Sequence, residues 1–263
     1  MSQKYKRELE LFQELLEIMD KLRSGCPWDK KQTIESLRYL TIEETYELSD
    51  AIINENYKDI QKELGDLIMH IVFYAKIGEE QKGDQHFTLV DVLENINTKL
   101  INRHPHIFGD VKVNSAEDVK QNWEQIKLKE KDRKSVLSGV PVSMPSLIKA
   151  YRIQDKAHGI GFDWDNIDQV WDKVEEEVDE LKTEIKNGDK EKIELEFGDL
   201  LFALINYSRF LDINPDDALE KSNKKFITRF NYIEQKIKES KKHFNDYSLA
   251  ELEEFWKEAK KNE

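Results

Sequence analysis

Two runs of carboxylates in this chain are spaced for metal chemistry. Glu176, Glu177 and Glu180 form an E-E-x-x-E cluster, and Glu196 and Asp199 form an E-x-x-D pair further along. Side chains three or four positions apart share one helix face, so each run presents a small acidic patch. Asn187-Gly188-Asp189 lies between them and reads as a turn that folds the second helix back along the first. Carboxylates gathered in this way repel one another unless a cation sits among them. Hard oxygen ligands with no Cys or His predict Mg²⁺, with Mn²⁺ as a substitute.

The same pattern occurs earlier in the chain. Glu43, Glu44, Glu47, Glu63 and Asp66 each lie 133 residues before Glu176, Glu177, Glu180, Glu196 and Asp199. Trp28-Asp29 recurs as Trp164-Asp165, the stretch Asp91–Arg103 as Asp217–Arg229, and Ser115–Lys127 as Ser248–Lys260. An internal repeat of this kind predicts two tandem homologous units. They are placed at residues 1–131 and 147–263, with a linker at 132–146. Its Asp132–Pro145 stretch holds two prolines, a glycine and three serines and reads as extended.

Helices must position these residues. Leu9, Phe12, Leu15, Leu16, Met19 and Leu22 make one face of a helix over residues 6–23, and Gly25–Asp29 breaks it. A second helix starts near Thr33 and carries Glu43, Glu44 and Glu47. After a turn at Asn54–Asn56, a third carries Glu63 and Asp66 at its start. Its Ile60, Leu64, Leu67, Ile68, Ile71, Val72 and Ala75 read as a buried stripe. Glycine and proline are sparse, at 10 and 5 of 263 residues, and no stretch alternates apolar with polar residues, so the expected class is all-α.

The net charge of −13, from 41 basic and 54 acidic residues, argues against a nucleic-acid backbone or an anionic membrane as principal partner. The single cysteine, Cys26, excludes an intrachain disulfide framework and fits a reducing cytosol. The charged, amphipathic N-terminal stretch is neither a signal peptide nor a membrane span, so a cytoplasmic location is expected.

Other residues carry two readings each. Lys225 and Arg229 share a helix face with Asn223 nearby, a pairing that suits phosphate oxygens or, alternatively, a basic stripe neutralised by surface acids. Trp256 and Trp123 are core tryptophans or stacking surfaces for a base. Gly65 and Gly198 sit inside helices at a cost of roughly 1 kcal/mol against alanine, which predicts the close approach of another helix or of a ligand there. A di-iron bundle would call for Glu-x-x-His. Here the third position on is Asp66 or Asp199, and His70, matched by Ala203, reads as an ordinary helix residue. Glycine-rich phosphate loops and nucleophile elbows are absent from the sequence.

The E-E-x-x-E and E-x-x-D runs, the N-x-K-x-x-x-R stretch and the late tryptophan together resemble the MazG family of nucleoside triphosphate pyrophosphohydrolases. C-P-W-D (Cys26–Asp29), E-L-G-D-L, R-H-P-H-I-F-G (Arg103–Gly109), G-V-P (Gly139–Pro141) and G-F-D-W (Gly161–Trp164) extend the likeness over nearly the whole chain. The resemblance implies an all-α NTP pyrophosphatase fold with four-helix-bundle-like units, a homodimer, and Mg²⁺-dependent hydrolysis of NTPs to NMP and pyrophosphate. House-cleaning or nucleotide-pool control would be the role.

It implies Glu177, Glu180, Glu196 and Asp199 as metal ligands, and Lys173, Lys192, Lys225, Arg229 and Trp256 as nucleotide contacts. Glu176 is the candidate for orienting the attacking water. The first unit keeps Glu44, Glu47, Glu63 and Asp66 as a possible second site. At the positions of Lys173 and Lys192, however, it has Leu40 and Asp59, which favours the second unit as the active one. The competing readings are a non-catalytic helical scaffold and a hydrolase of guanosine polyphosphate alarmones.

Overall fold

The computed structural model describes residues 3–128, 135–240 and 242–262. Residues 129–134, where the first predicted unit ends and the linker begins, lie outside the described residues. All regular structure among the described residues is helical: α1 (Lys6–Gly25), α2 (Ile34–Ile53), α3 (Tyr57–Glu79), α4 (Leu89–Arg103), the single turn α5 (Pro105–Phe108), α6 (Ala116–Leu128), α7 (Ser146–His158), α8 (Ile167–Asn187), α9 (Lys190–Phe210), α10 (Pro215–Ser240) and α11 (Leu249–Lys261). No helix among them is long and apolar enough to cross a membrane.

Local chemistry sets the helix ends. Thr33 and Ser36 cap α2 reciprocally, with Ser36 N donating to Thr33 Oγ1 at 3.1 Å and Thr33 N to Ser36 Oγ at 2.8 Å. Asn56 caps α3, Asp189 caps α9, and Ser248 with Glu251 forms a capping box on α11. Gly188 closes α8 at φ +77°, a conformation that glycine adopts without a Cβ penalty.

The chain forms two compact units, Met1–Lys112 and Val113–Glu263. This division groups α6 with the second unit, whereas the repeat pairs the same segment with the first. In the first unit α3 packs on both α1 and α2. Met19, Leu37, Val72, Phe73 and Ile77 form its core, flanked by Phe12, Leu15, Leu16 and Leu40. Arg23 ties the C-P-W-D turn to the end of α3. Its guanidinium donates to Glu80 through two 2.7 Å bonds and to the carbonyls of Asp29 and Gln32. In the second unit α8 and α9 pack along each other, with Val170, Val174, Ala203 and Ile205 buried on them. Helices α10 and α11 pack together, and Ile233 and Ile237 of α10 and Ala259 of α11 are buried.

Three expectations need correction. The apolar stripe on α3 is only partly covered: Val72 and Ala75 are buried, but Leu64, Ile68 and Ile71 are 46%, 45% and 51% exposed. Periodicity finds an apolar face without saying whether this chain covers it. The linker residues from Ser135 on are not extended but form successive turns, with Ser138 N, Val140 N and Met144 N each donating to the carbonyl three residues back. Finally, a Cβ on Gly65 or Gly198 would meet no atom of the described residues within 4 Å, so among the described residues no helix makes the close approach expected at either glycine.

Gly198→Ala is therefore expected to stabilise the protein by about 1 kcal/mol in urea unfolding. A loss of stability instead would mean that a second copy or a ligand occupies that face. The close approach lies at Gly78, where a Cβ would fall 2.6 Å from the Phe87 ring.

Candidate metal and nucleotide site

The α8–α9 hairpin brings together what the sequence separates. Carboxylate oxygens of Glu177, Glu196 and Asp199 lie within 4.8 Å of one another, as do those of Glu44, Glu63 and Asp66 on the α2–α3 pair. Helix pitch explains the selection. Glu177 on one helix faces Glu196 and Asp199, which are one turn apart on the other. Glu180 and Glu47 stay outside these three-oxygen sets and are exposed. Glu180 is nevertheless close enough to act electrostatically. Desolvation is the largest cause raising the Glu196 carboxyl above its usual range, and the charges of Glu180, Asp199, Glu177 and Glu184 add to it. Glu44 is raised for the same reasons, by desolvation first and then by Asp66, Glu47 and Glu63.

The donor sets fit a hard divalent cation: three carboxylates per set, all oxygen, one of them buried in each. Glu177 is 5% and Glu63 4% exposed. Glu63 Oε2 is also buried without a hydrogen-bond partner among the described residues. A buried carboxylate oxygen with no donor is costly, and a cation satisfies it.

Each set already has a cation of the protein's own. Lys173 Nζ stands 2.7 Å from Glu177 and 2.9 Å from Glu176, and these bonds hold the lysine well above its ordinary pKa. Lys62 Nζ stands 3.0 Å from Glu63 and 3.8 Å from Glu47, and its pKa is raised chiefly by the Glu63 hydrogen bond. The matched residues are Leu40 for Lys173 and Leu195 for Lys62. Comparing matched positions therefore hides Lys62, because the two units supply the lysine from opposite helices.

Sequence reasoning also missed Glu184, one helix turn beyond Glu180. Its charge raises Glu196, its Oε2 is buried without a hydrogen-bond partner among the described residues, and its counterpart is Ala51. His70 proves to be a core residue. It is buried, with Nδ1 2.7 Å from Thr41 Oγ1, which also lies 2.7 Å from Tyr74 Oη. Burial lowers its pKa against the opposing pull of Asp66.

The other predicted contacts sit on α9, α10 and α11. Arg229 lies over the Trp256 ring at 5.3 Å, and Phe226 packs against the same ring with centroids 5.1 Å apart. Trp256 is half-buried, with a tilted phenylalanine ring and a guanidinium beside its indole. Lys225 is exposed, and Asn223 is exposed with its amide donating to Glu220 at 3.2 Å. Lys192 is exposed in the first turn of α9, its backbone N–H capped by Asp189. Trp123, the counterpart of Trp256, belongs to the second compact unit and has Lys127 over its ring at 5.9 Å. Met1–Lys112 accordingly contains no match to Trp256.

The profile of the MazG nucleotide pyrophosphohydrolase domain matches residues 32–108 and again 167–233. The chain belongs to the MazG family. Each MazG match contains one complete carboxylate set and the lysine–arginine pair that follows it, Lys99 and Arg103 or Lys225 and Arg229. As a MazG protein the chain is a hydrolase with an internal repeat. It is 44% identical to the nucleoside triphosphate pyrophosphohydrolase/pyrophosphatase MazG of Thermotoga maritima, over 95% of this chain and 96% of that protein. With the nucleoside triphosphate pyrophosphohydrolase of Escherichia coli K12 it shares 40% identity, over 95% and 97% of the respective chains. Among solved structures, a MazG-related protein from Thermotoga maritima aligns with 44% of this chain and 99% of its own at 27% identity, with a TM-score of 0.39.

Proposed function

We propose that this MazG enzyme hydrolyses nucleoside triphosphates, including dNTPs or non-standard NTPs, to NMP and pyrophosphate with Mg²⁺. On this reading it acts in the cytoplasm as a homodimer and cleans or controls the nucleotide pool. The carrying observation is the three-carboxylate set of Glu177, Glu196 and Asp199 with Lys173 against its buried member. The half-exposed Leu64, Ile68 and Ile71 supply a reason for a second copy to cover α3.

Glu177, Glu196 and Asp199 would hold the cation, with Glu180 beside them. A divalent ion held there would supply charge neutralisation for the triphosphate and lower the pKa of a water towards neutrality. Lys173 and Lys192 bind phosphate oxygens, and Lys225 and Arg229 hold the departing pyrophosphate. Glu176, adjacent in sequence to Glu177 and exposed, orients the attacking water and takes its proton. Trp256 offers its ring to the nucleotide, and Asn223 hydrogen-bonds to it. Positioning and charge neutralisation supply most of the rate in this class of reaction.

Three features favour the second unit as the active one: Lys192, where the first unit has Asp59, the additional carboxylate Glu184, and a tryptophan in the same compact unit as the carboxylates. Incubation with each common and deaminated NTP and Mg²⁺, followed by chromatography, is expected to yield NMP and pyrophosphate in equal amounts. Folded protein that gives no product with any of them would leave a helical scaffold. Products from a guanosine polyphosphate alone would mark an alarmone hydrolase.

A further inference from the structure

Glu184 is a carboxylate to which the proposed mechanism gives no role. It follows Glu177 by seven positions and Glu180 by four on α8, so all three project from one helix face. Its Oε1 accepts from Asn187 Nδ2 at 3.2 Å, and its Oε2 is buried with no hydrogen-bond partner among the described residues. We propose that Glu184 sets the metal affinity of the second unit through space: its charge strains the metal-free α8–α9 hairpin and draws a divalent cation to Glu177, Glu196 and Asp199 without touching it. This rests on the metal reading of those three carboxylates.

The position is unfavourable for an anion in three ways. A buried anionic oxygen without a donor has lost its hydration and gained no bond. Like charges stand nearby: after desolvation, the largest cause raising the Glu196 carboxyl, the charges of Glu180, Asp199, Glu177 and Glu184 all add to it. Finally, α8 ends at Asn187, and the Glu184 carbonyl accepts from Gly188 N at 2.9 Å. The side chain therefore belongs to the last helix turn, where the helix dipole favours cations over anions. The matched residue of the first unit is Ala51, buried and neutral, which avoids all three. A carboxylate standing where alanine serves in the counterpart points to function, because functional sites give up stability for activity.

Ligation does not account for it. Glu184 stays outside the three-oxygen set, its Oε2 is closed off from the surface, and its Oε1 is turned to Asn187 at the helix end. What extends to the cation is the field of the charge. A dication feels that field twice as strongly as a monovalent ion, and the desolvated surroundings of Glu196 weaken its screening. A cation in the set cancels the repulsion that Glu184 adds, so the strain of the metal-free hairpin is released on binding.

The test is Mn²⁺ binding at fixed pH to the full chain carrying Glu44→Gln, which leaves one complete three-carboxylate set. Glu184→Gln keeps the side chain's size and its acceptor for Asn187 but removes the charge. Added to that parent, it is expected to weaken Mn²⁺ about tenfold in calorimetry, equal to about 1.4 kcal/mol. Bound Mn²⁺ should give the same paramagnetic resonance spectrum in both proteins, because no ligand is exchanged. In EDTA, Glu184→Gln should raise the urea midpoint of the metal-free protein, whereas a merely structural glutamate would lower it on replacement. Glu184→Ala, which installs the first unit's residue, should weaken Mn²⁺ to a similar extent and serves if the glutamine variant fails to fold.

An Mn²⁺ affinity within about twofold of the parent's overturns the proposal. So does a changed spectrum, which would make Glu184 a ligand, or a lowered metal-free midpoint. If the parent binds no Mn²⁺, the metal reading falls and takes the proposal with it. Binding that ignores Glu184→Gln overturns the proposal alone and leaves the metal reading standing.

Discussion

Glu177→Gln is expected to lower the rate of pyrophosphate release by a factor on the order of 10²–10³ at saturating Mg²⁺, the scale seen when one preorganised electrostatic partner is removed. The change keeps the size of the side chain and one of its oxygens but removes a buried negative charge from the three-oxygen set. It also removes the charge from the 2.7 Å partner of Lys173, leaving the exposed Glu176 at 2.9 Å as its ion pair. Metal affinity and lysine placement therefore fail together, and raising the Mg²⁺ concentration should recover only part of the rate. The matched change in the first unit, Glu44→Gln, is expected to leave kcat within about twofold, an effect below ~0.5 kcal/mol. The two variants are compared by kcat over a Mg²⁺ series, with circular dichroism as the check on folding. Equal losses would show that both units turn over.

Leu37→Ala is expected to cost about 3 kcal/mol of stability, within the usual range of roughly 2–5 for a buried leucine. Leu37 is 1% exposed and sits on α2 in a core made with Met19 of α1 and Val72, Phe73 and Ile77 of α3. The truncation opens a void between three helices. Neighbours that could collapse into it are held elsewhere, since Thr41, one turn on, is engaged with His70 and Tyr74. A fall in the urea midpoint of the affected transition at unchanged slope is the expected reading. An effect below about 1 kcal/mol would mean that the core repacks around the gap.

Much of the fold could be read from the sequence because its signals are local. Thr33, Asn56, Asp189 and Ser248 cap helices where their types predict. The turn at Asn187–Asp189 is carried by a glycine at positive φ. The pairing of Glu177 with Glu196 and Asp199 could be read as well, since helical pitch and a hairpin are enough to bring them together.

What stayed hidden depends on partners distant in sequence. No pattern marks Gly78 as the glycine that Phe87 crowds, or Gly65 as one facing open space. Gln154 looks like any polar helix residue until its amide is found buried against Phe202. Nor does the period of α3 reveal that Leu64, Ile68 and Ile71 of its apolar stripe stay about half exposed.

Lys62 on α3 and Lys173 on α8 put a lysine against the same carboxylate arrangement from different sides. If the two units descend from one duplicated ancestor, the acidic positions have been inherited as places, while the lysine has been inherited only as a charge. Its site of attachment was free to wander from one helix to the other as long as the local sum was kept. Grafting should then succeed in either direction: Lys62→Leu combined with Leu40→Lys would rebuild the second unit's arrangement in the first without touching a single carboxylate.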